Sequence, residues 1–263
     1  MSSQVAEDPV ARRPASDIAK IPFFRLVRVE LRKMYDTRAG MWLLIAIGVI
    51  TFAAVTLYLF FADANLLTFN GFVGVTLTPQ GFLLPVLGIL VVTSEWSQRT
   101  GLVSFTLEPS RGRILAAKIA AVVVLGVVAV VLLLGVAALG NVLGASLQGG
   151  DGSWTFGAEG YRDTAILQLM GILGGLAFGM ILLNSAAAIV ASFVLPLAFG
   201  ILFGLVTALD DAAPWIDLGT AQRPLFDHTM EGDEWLQLLV TSLWWIVIPL
   251  AVGAYRVLRS EVK

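Results

Sequence analysis

Six long runs of apolar residues constrain this chain more than any other feature of its sequence. A run of about 18 or more apolar residues is long enough to cross the hydrocarbon of a bilayer as a helix. A buried core helix of a soluble protein could account for one such run, but not for six in succession. The runs therefore predict an all-α polytopic membrane protein, with spans at about 41–61, 72–93, 115–143, 165–183, 189–209 and 235–255.

The composition agrees with this fold class. Of the 263 residues, 57% are hydrophobic and only 14% are charged, whereas soluble domains are about half apolar and about a quarter charged. The charged residues are also clustered between the apolar runs. The chain has no cysteine, which excludes disulfides and thiolate metal sites.

The basic residues predict how the chain is oriented. The sequence has 17 Lys and Arg, and in a six-span arrangement all except Arg162 and Arg223 fall on one side. The positive-inside rule places that side in the cytoplasm, so we expect both termini and the loop at 94–114 to be cytoplasmic. The loop at 210–234 would then lie outside, and the chain would belong to the cytoplasmic (inner) membrane.

The segment before the first span has two parts. Residues 1–21 are polar, lack the apolar stretch of a signal peptide, and predict a disordered cytoplasmic tail. Residues 22–38 have apolar positions at helical spacing with cations between them, which indicates an interfacial elbow helix beside anionic lipid. The alternative is an ordinary charged flank of the first span. The cations are Arg25, Arg28, Arg32 and Lys33.

Glycines recur every four residues in the fourth run, at Gly171, Gly175 and Gly179. Such overlapping GxxxG steps allow two helix backbones to approach closely. We expect these glycines to pack against another helix of this chain, with a dimer seam as the alternative.

From the elbow helix and the six spans together, residues 22–263 are expected to form a single transmembrane domain.

A search for catalytic chemistry finds no candidate. His228 is the sole histidine, and neither an HExxH nor a GxSxG pattern is present, so we expect a surface histidine and no catalytic, cofactor-binding or metal-binding residue. A Walker A pattern, GxxxxGK[ST], is also absent. If ATP drives this protein, another chain must bind it, and we expect membrane lipid and protein partners but no nucleic acid.

Three segments resemble one family. "RLVRVELRKMYDTRAGMWLL", "EWSQRTGLVSFTLEPSRGRILAAK" and "GLAFGMILLNSAAAIVASFVLPL" are similar to segments of the type-2 export permeases of ATP-binding-cassette (ABC) transporters. The resemblance is to the small six-span subunits of actinobacterial and Gram-positive exporters. In that family a basic residue often precedes the Asn of the third segment, where this chain has Leu183.

The resemblance implies a role for the loop after the second span. In the family this loop forms a coupling helix that docks on a cytoplasmic ATPase, which corresponds here to about 95–105. Trp96 would anchor in an apolar pocket of the ATPase, and aromatic residues and Arg dominate interface energetics in general. The alternative is an ordinary basic loop. The other expected contact residues are Glu95, Ser97, Gln98, Arg99, Thr100, Leu102 and Phe105.

The resemblance also implies the assembly and the activity. Two permease subunits, identical or related, would combine with two ABC ATPase subunits that bind ATP and Mg. The complex would export an apolar or amphipathic substrate such as a lipid, a peptide or a drug-like compound, although the family includes polysaccharide and ion exporters. A secondary ion-coupled transporter and a non-transporting membrane scaffold are the alternatives from other classes.

Overall fold

The structure is a computed structural model that describes residues 21–97 and 110–259. Within these ranges every regular element is helical. Six helices are long and apolar enough to cross a membrane, which confirms the all-α, six-span prediction. Almost all of the expected tail at 1–21 and most of the loop at 94–114 lie outside the described residues.

An amphipathic helix, α1 (Phe23–Asp36), precedes the first span. The first five spans are α2 (Arg38–Phe61), α3 (Phe69–Ser97), α4 (Arg111–Leu147), α5 (Gly157–Leu182) and α6 (Ser185–Leu205). The last span comprises α9 (Glu234–Ser242), a π-helical turn (Leu243–Val247) and α10 (Ile248–Arg259), and it is reached from α6 through α7 (Ala213–Ile216) and α8 (Leu218–Asp227). The helices extend beyond the apolar runs at most of their ends, because polar residues continue the helical turns.

Successive spans alternate in direction and give the bundle two distinct ends. The basic end holds α1, the end of α3 and the start of α4, and there Ser185 Oγ lies 2.8 Å from Thr93 Oγ1. The acidic end holds the connections at 62–68, 148–156 and 206–233. At that end the Phe69 amide donates a hydrogen bond to the Ser153 carbonyl at 3.0 Å.

The interior of the bundle is formed mainly by α3 and α5. In their most apolar windows, 56% and 50% of the residues are buried, against 11% in both α2 and α6. The two inner helices touch backbone to backbone, since a Cβ at Gly175 would overlap the carbonyl oxygen of Pro85. Close approach of this kind gives extensive van der Waals contact, which drives helix association in membranes.

The connection between α6 and α9 is folded onto the acidic end. The side chain of Leu225 in α8 is fully buried, and Trp245 Nε1 donates a hydrogen bond to the Ile216 carbonyl at 2.7 Å. Thr241 Oγ1 donates to the Pro214 carbonyl at 3.1 Å. This connection therefore packs against the acidic end of the helices instead of extending into solvent.

Candidate functional site

Four charged side chains meet at the basic end, where α1 crosses the end of α3 and the start of α4. We call Glu30, Lys33, Glu95 and Lys118 the ion-pair square. Lys33 Nζ lies 2.6 Å from Glu30 Oε1 and 2.5 Å from Glu95 Oε1. Lys118 Nζ lies 2.5 Å from Glu30 Oε2 and 3.0 Å from Glu95 Oε2. Each lysine therefore bridges both glutamates, and the four formal charges cancel.

The ion-pair square is largely shielded from solvent. The side chains of Glu30, Glu95 and Lys118 are 5%, 8% and 6% exposed, while that of Lys33 is 28% exposed. Burial lowers the pKa of Lys33, but attraction to the carboxylates of Glu30 and Glu95 outweighs burial, so its pKa is raised overall. Buried charges are tolerated only when they are paired in this way.

The sequence of α1 places two members of the square next to an apolar face. Val27, Glu30 and Met34 are the buried residues of α1, and their spacing of three and four puts them on one side of a helix. Val27 packs against Ala117 and Ala121 of α4. These small side chains let α1 come close enough for its carboxylate to reach across to α4.

The expected ATPase contact is only partly described. The helix α3 continues to Ser97, so residues 95–97 are the last turn of a span and not the start of a separate helix. Glu95 points into the ion-pair square. The side chains of Trp96 and Ser97, and all of Gln98, Arg99, Thr100, Leu102 and Phe105, lie outside the described residues.

The four cations of the elbow helix separate into two groups. Arg25, Arg28 and Arg32 are exposed, and Arg32 Nε lies 2.9 Å from Asp36 Oδ2. Lys33 is turned inward and belongs to the ion-pair square. The three arginines thus lie on the exposed face of α1, whereas Lys33 holds α1 against the bundle.

The three glycines of the fourth run face α3. Gly175 is in contact with the backbone of Pro85, and a Cβ at Gly179 would lie 3.0 Å from the carbonyl oxygen of Ile89. At Gly171 a Cβ would lie 3.7 Å from Pro85 Cγ. The glycine face is therefore occupied by another helix of the same chain.

A cavity of about 370 Å³ lies between α3, α5 and α6, with α8 and the π-helical turn completing its wall. Its volume is in the range of sites for small molecules, about 300–1,000 Å³. The wall is mostly apolar and includes Phe82, Pro85, Phe178, Phe193 and Trp245. No charged side chain is among the described residues that line it.

Two glutamines, Gln168 and Gln222, are among the polar residues that line the cavity. Gln168 Nε2 donates a hydrogen bond of 2.6 Å to Gln80 Oε1 across the α3–α5 contact, and both side chains are buried. Gln222 on α8 contacts Met170 Sδ at 3.8 Å. A thioether is a weak acceptor, so the amide of Gln222 can exchange this contact for a better one.

A second buried charge lies at the acidic end. Asp163 is fully buried, with Oδ1 2.8 Å from Arg162 Nε and Oδ2 3.4 Å from His228 Nδ1. The ring of His228 packs edge-on against Phe156 at 5.2 Å, and the guanidinium of Arg162 lies 4.6 Å from the centre of the Trp235 ring. We call Arg162, Asp163 and His228 the Asp163 cluster.

The position of His228 corrects the sequence prediction. A surface histidine was expected, but the side chain is only 20% exposed and faces a buried carboxylate. Its backbone is left-handed, with φ 55°, and ends α8 as its C-cap. His228 therefore ends α8 at the point where the connection contacts Asp163 of α5. In the described part of the chain, no group of three or more His, Asp or Glu is placed to hold a metal ion.

Comparison with known proteins adds no assignment, since no family model and no curated protein matches the chain. The residues that sequence reasoning missed are Glu30, Lys118 and the two glutamines Gln80 and Gln168. A signal was present for each charge: Glu30 is the one acid among the cations of 25–33, and Lys118 is the one charge within 115–143. The glutamines lie within apolar runs, where a polar side chain needs an internal partner.

Proposed function

We propose that this chain is the transmembrane permease subunit of an ABC exporter of the type-2 export permease family. The observation that carries the proposal is the ion-pair square, because it joins the elbow helix α1 to both helices that flank 98–109. Most of the segment expected to contact an ATPase, about 95–105, lies between these two helices. A displacement of that segment would act on α1, α3 and α4 together.

The packing of α3 offers a route from that segment to the cavity. The helix begins at the acidic end, contributes Phe82 and Pro85 to the cavity wall, and carries Glu95 of the ion-pair square in its last turn. It also contacts α5 closely at Gly175. Rigid helices in backbone contact transmit a shift as a unit, so movement at the basic end would change the shape of the cavity.

The proposal divides the work between subunits. Two copies of a cytoplasmic ABC ATPase bind ATP and Mg, because this chain has no phosphate-binding loop of the Walker A kind. A second permease subunit, identical or related, completes the complex. The basic end faces the cytoplasm, following the positive-inside rule, and the exposed arginines of α1 lie at the anionic headgroups of the cytoplasmic membrane.

The uncharged cavity favours an apolar or amphipathic substrate. A charged substrate would lose its hydration in a wall of this kind without gaining a partner of opposite charge. A lipid, an apolar peptide and a drug-like compound all meet this requirement. Outward transport follows the resemblance to exporters.

Substitution of Trp96 by Ala tests the assignment of the ATPase contact. If Trp96 fills a pocket of the ATPase, we expect a loss of at least about 2 kcal/mol, the level of an interface hot spot, which corresponds to roughly thirtyfold weaker association. The variant should accumulate normally in the membrane but lose ATPase retention and transport. The measurement is ATP hydrolysis that co-purifies with the chain in mild detergent, and Arg13→Ala serves as a control expected to change neither.

Three results would contradict the proposal. Trp96→Ala could retain its ATPase and transport as the parent does, which would reduce the segment to a basic loop. The isolated chain could be labelled specifically by ATP. Reporter fusions at Gly150 and after Lys263 could also report the same side of the membrane, which would overturn the proposed orientation.

The two alternative classes predict different behaviour. A secondary transporter keeps moving substrate when the ATPase is absent and stops when the ion gradient collapses. A membrane scaffold retains its partners but moves no substrate under either condition. Transport measured in vesicles with and without ATP, and with and without an ion gradient, separates all three.

A further inference from the structure

We propose that the cavity between α3, α5 and α6 is a binding site for an uncharged, single-chain amphiphile that enters from the bilayer. Binding itself does not depend on an ATPase. That the bound molecule is the transported substrate rests on the proposed function.

The position of the opening points to entry from the bilayer. Phe82 is the middle residue of the span Phe69–Glu95, so it lies about 20 Å from either end of that helix. Its side chain lines the cavity and is 60% exposed. Phe193 on α6 lies opposite, with 6.1 Å between the ring centres. An opening at this depth is surrounded by acyl chains and not by water.

The chemistry of the cavity wall differs along its length, and this difference predicts how an amphiphile is oriented in the cavity. Around Phe82, Pro85 and Phe193 the lining is mostly apolar and suits a hydrocarbon chain. The hydroxyls of Thr78 and Ser192 also line the cavity, but each donates a hydrogen bond to a carbonyl of its own helix. Towards the acidic end, Gln168 and Gln222 place amide groups in the wall, and an amide both donates and accepts hydrogen bonds. A hydroxyl or ester group on the ligand can replace the weak contact of Gln222 with Met170.

The absence of charge in the described lining sets the limit on ligand chemistry. A carboxylate or ammonium group in the cavity would be removed from water without an opposite charge beside it, which is costly. A neutral group needs only hydrogen bonds, which Gln168 and Gln222 can supply. The cavity should therefore distinguish a monoacylglycerol from a fatty acid or an alkylamine of the same chain length.

Two glycines make the site testable without disturbing the fold. Gly81 and Gly174 both line the cavity, and a Cβ at either position meets no atom within 4 Å. The Cβ of a leucine there meets no neighbouring atom, and leucine is a better helix former than glycine. Gly74 lies on the same helix as Gly81 and is equally open, but it does not line the cavity, so Gly74→Leu is a matched control.

The experiment measures quenching of tryptophan fluorescence in the purified full-length chain by a dibrominated monooleoylglycerol. Trp245 lines the cavity, so a bound bromine lies close to its ring. We expect saturable quenching in the parent, at least about tenfold weaker binding in Gly81→Leu and Gly174→Leu because the space is filled, and unchanged binding in Gly74→Leu. Unlabelled monooleoylglycerol should displace the probe, whereas ionised oleate and oleylamine should not.

Several outcomes would overturn the proposal. Binding that is equal in all three leucine variants would place the probe outside the cavity. Displacement by oleate as strong as that by monooleoylglycerol would reject the requirement for a neutral ligand. If the parent binds no probe and Gly81→Leu lowers the fraction of dimer, the opening is covered by a second copy of the chain. None of these results requires an ATPase, so they are independent of the test of the proposed function.

Discussion

The two ends of the helix bundle treat buried charge differently. In the ion-pair square, two carboxylates and two ammonium groups alternate, and each oxygen that faces the square has a lysine within 3.0 Å. In the Asp163 cluster, one carboxylate faces an arginine that is 42% exposed and a histidine at 3.4 Å. Neither Asp163 Oδ2 nor His228 Nδ1 has a hydrogen-bond partner among the described residues.

The difference in charge pairing indicates how readily the packed elements at each end of the bundle can separate. A set of paired buried charges is costly to open, because removing one member leaves an uncompensated buried charge. It therefore suits a rigid connection between α1, α3 and α4. The Asp163 cluster is less completely satisfied, so the connection that carries His228 can separate from α5 at a lower cost.

The largest expected effect is loss of one cation from the ion-pair square. Lys118→Met removes one of the two lysines that pair with the carboxylates of Glu30 and Glu95 in the described part of the chain, and we expect a loss of about 3–5 kcal/mol in the free energy of unfolding. Reversible unfolding in mixed detergent micelles measures it. Adding Glu95→Gln to this variant restores neutrality and should recover part of the loss, since residues in one network are coupled. A double variant less stable than Lys118→Met would reject the square as an energetic unit.

A smaller effect is expected at the acidic end. Asp163→Asn weakens the hydrogen bond to Arg162, but it also removes a buried charge whose second oxygen is poorly paired. We expect a net loss of about 1–2 kcal/mol, near the contribution of a hydrogen bond to a charged group. The same unfolding assay applies. A loss greater than that of Lys118→Met would reverse the comparison between the two ends.

The pH dependence of the basic end follows from Lys33. Its pKa in the folded chain is raised above the ordinary 10.5, so its contribution is fully present below the unfolded pKa and is lost as pH rises through the raised value. We expect α1 to remain docked at neutral pH and to become accessible to protease only in strongly alkaline solution. Lys33→Arg should shift or remove this step, because a guanidinium stays protonated there. A rise in the protease sensitivity of α1 near neutral pH would contradict the role assigned to Lys33 in the ion-pair square.

The smallest effect is expected at an exposed ion pair on the same helix. The side chains of Arg32 and Asp36 are 69% and 49% exposed, and solvent screens such pairs strongly. Arg32→Ala should leave the free energy of unfolding unchanged within the error of the assay, because exposed ion pairs contribute little to stability. A loss comparable to that of Lys118→Met would show that α1 is not held mainly by the ion-pair square.

Part of the candidate site could be read from the sequence. The glycine face of the fourth run and the basic, amphipathic character of 22–38 are local patterns, and the structure places both in helix contacts or at the helix surface. The ion-pair square could not be read in this way. Glu30 and Lys118 are far apart in the chain, and a charge near the end of an apolar run is compatible with an exposed interfacial position.

The sequence by itself determined the number and type of the spans, because a bilayer requires about 20 apolar residues whose backbone groups are all hydrogen-bonded within a helix. Which helices lie inside was decided only by tertiary structure. The mean hydropathy of the inner helix α5 is 2.1 and that of the outer helix α2 is 2.5, a difference too small to assign either. Lipid is as apolar as a side chain, so hydropathy does not drive one helix face against another, and close packing and buried polar contacts make that choice.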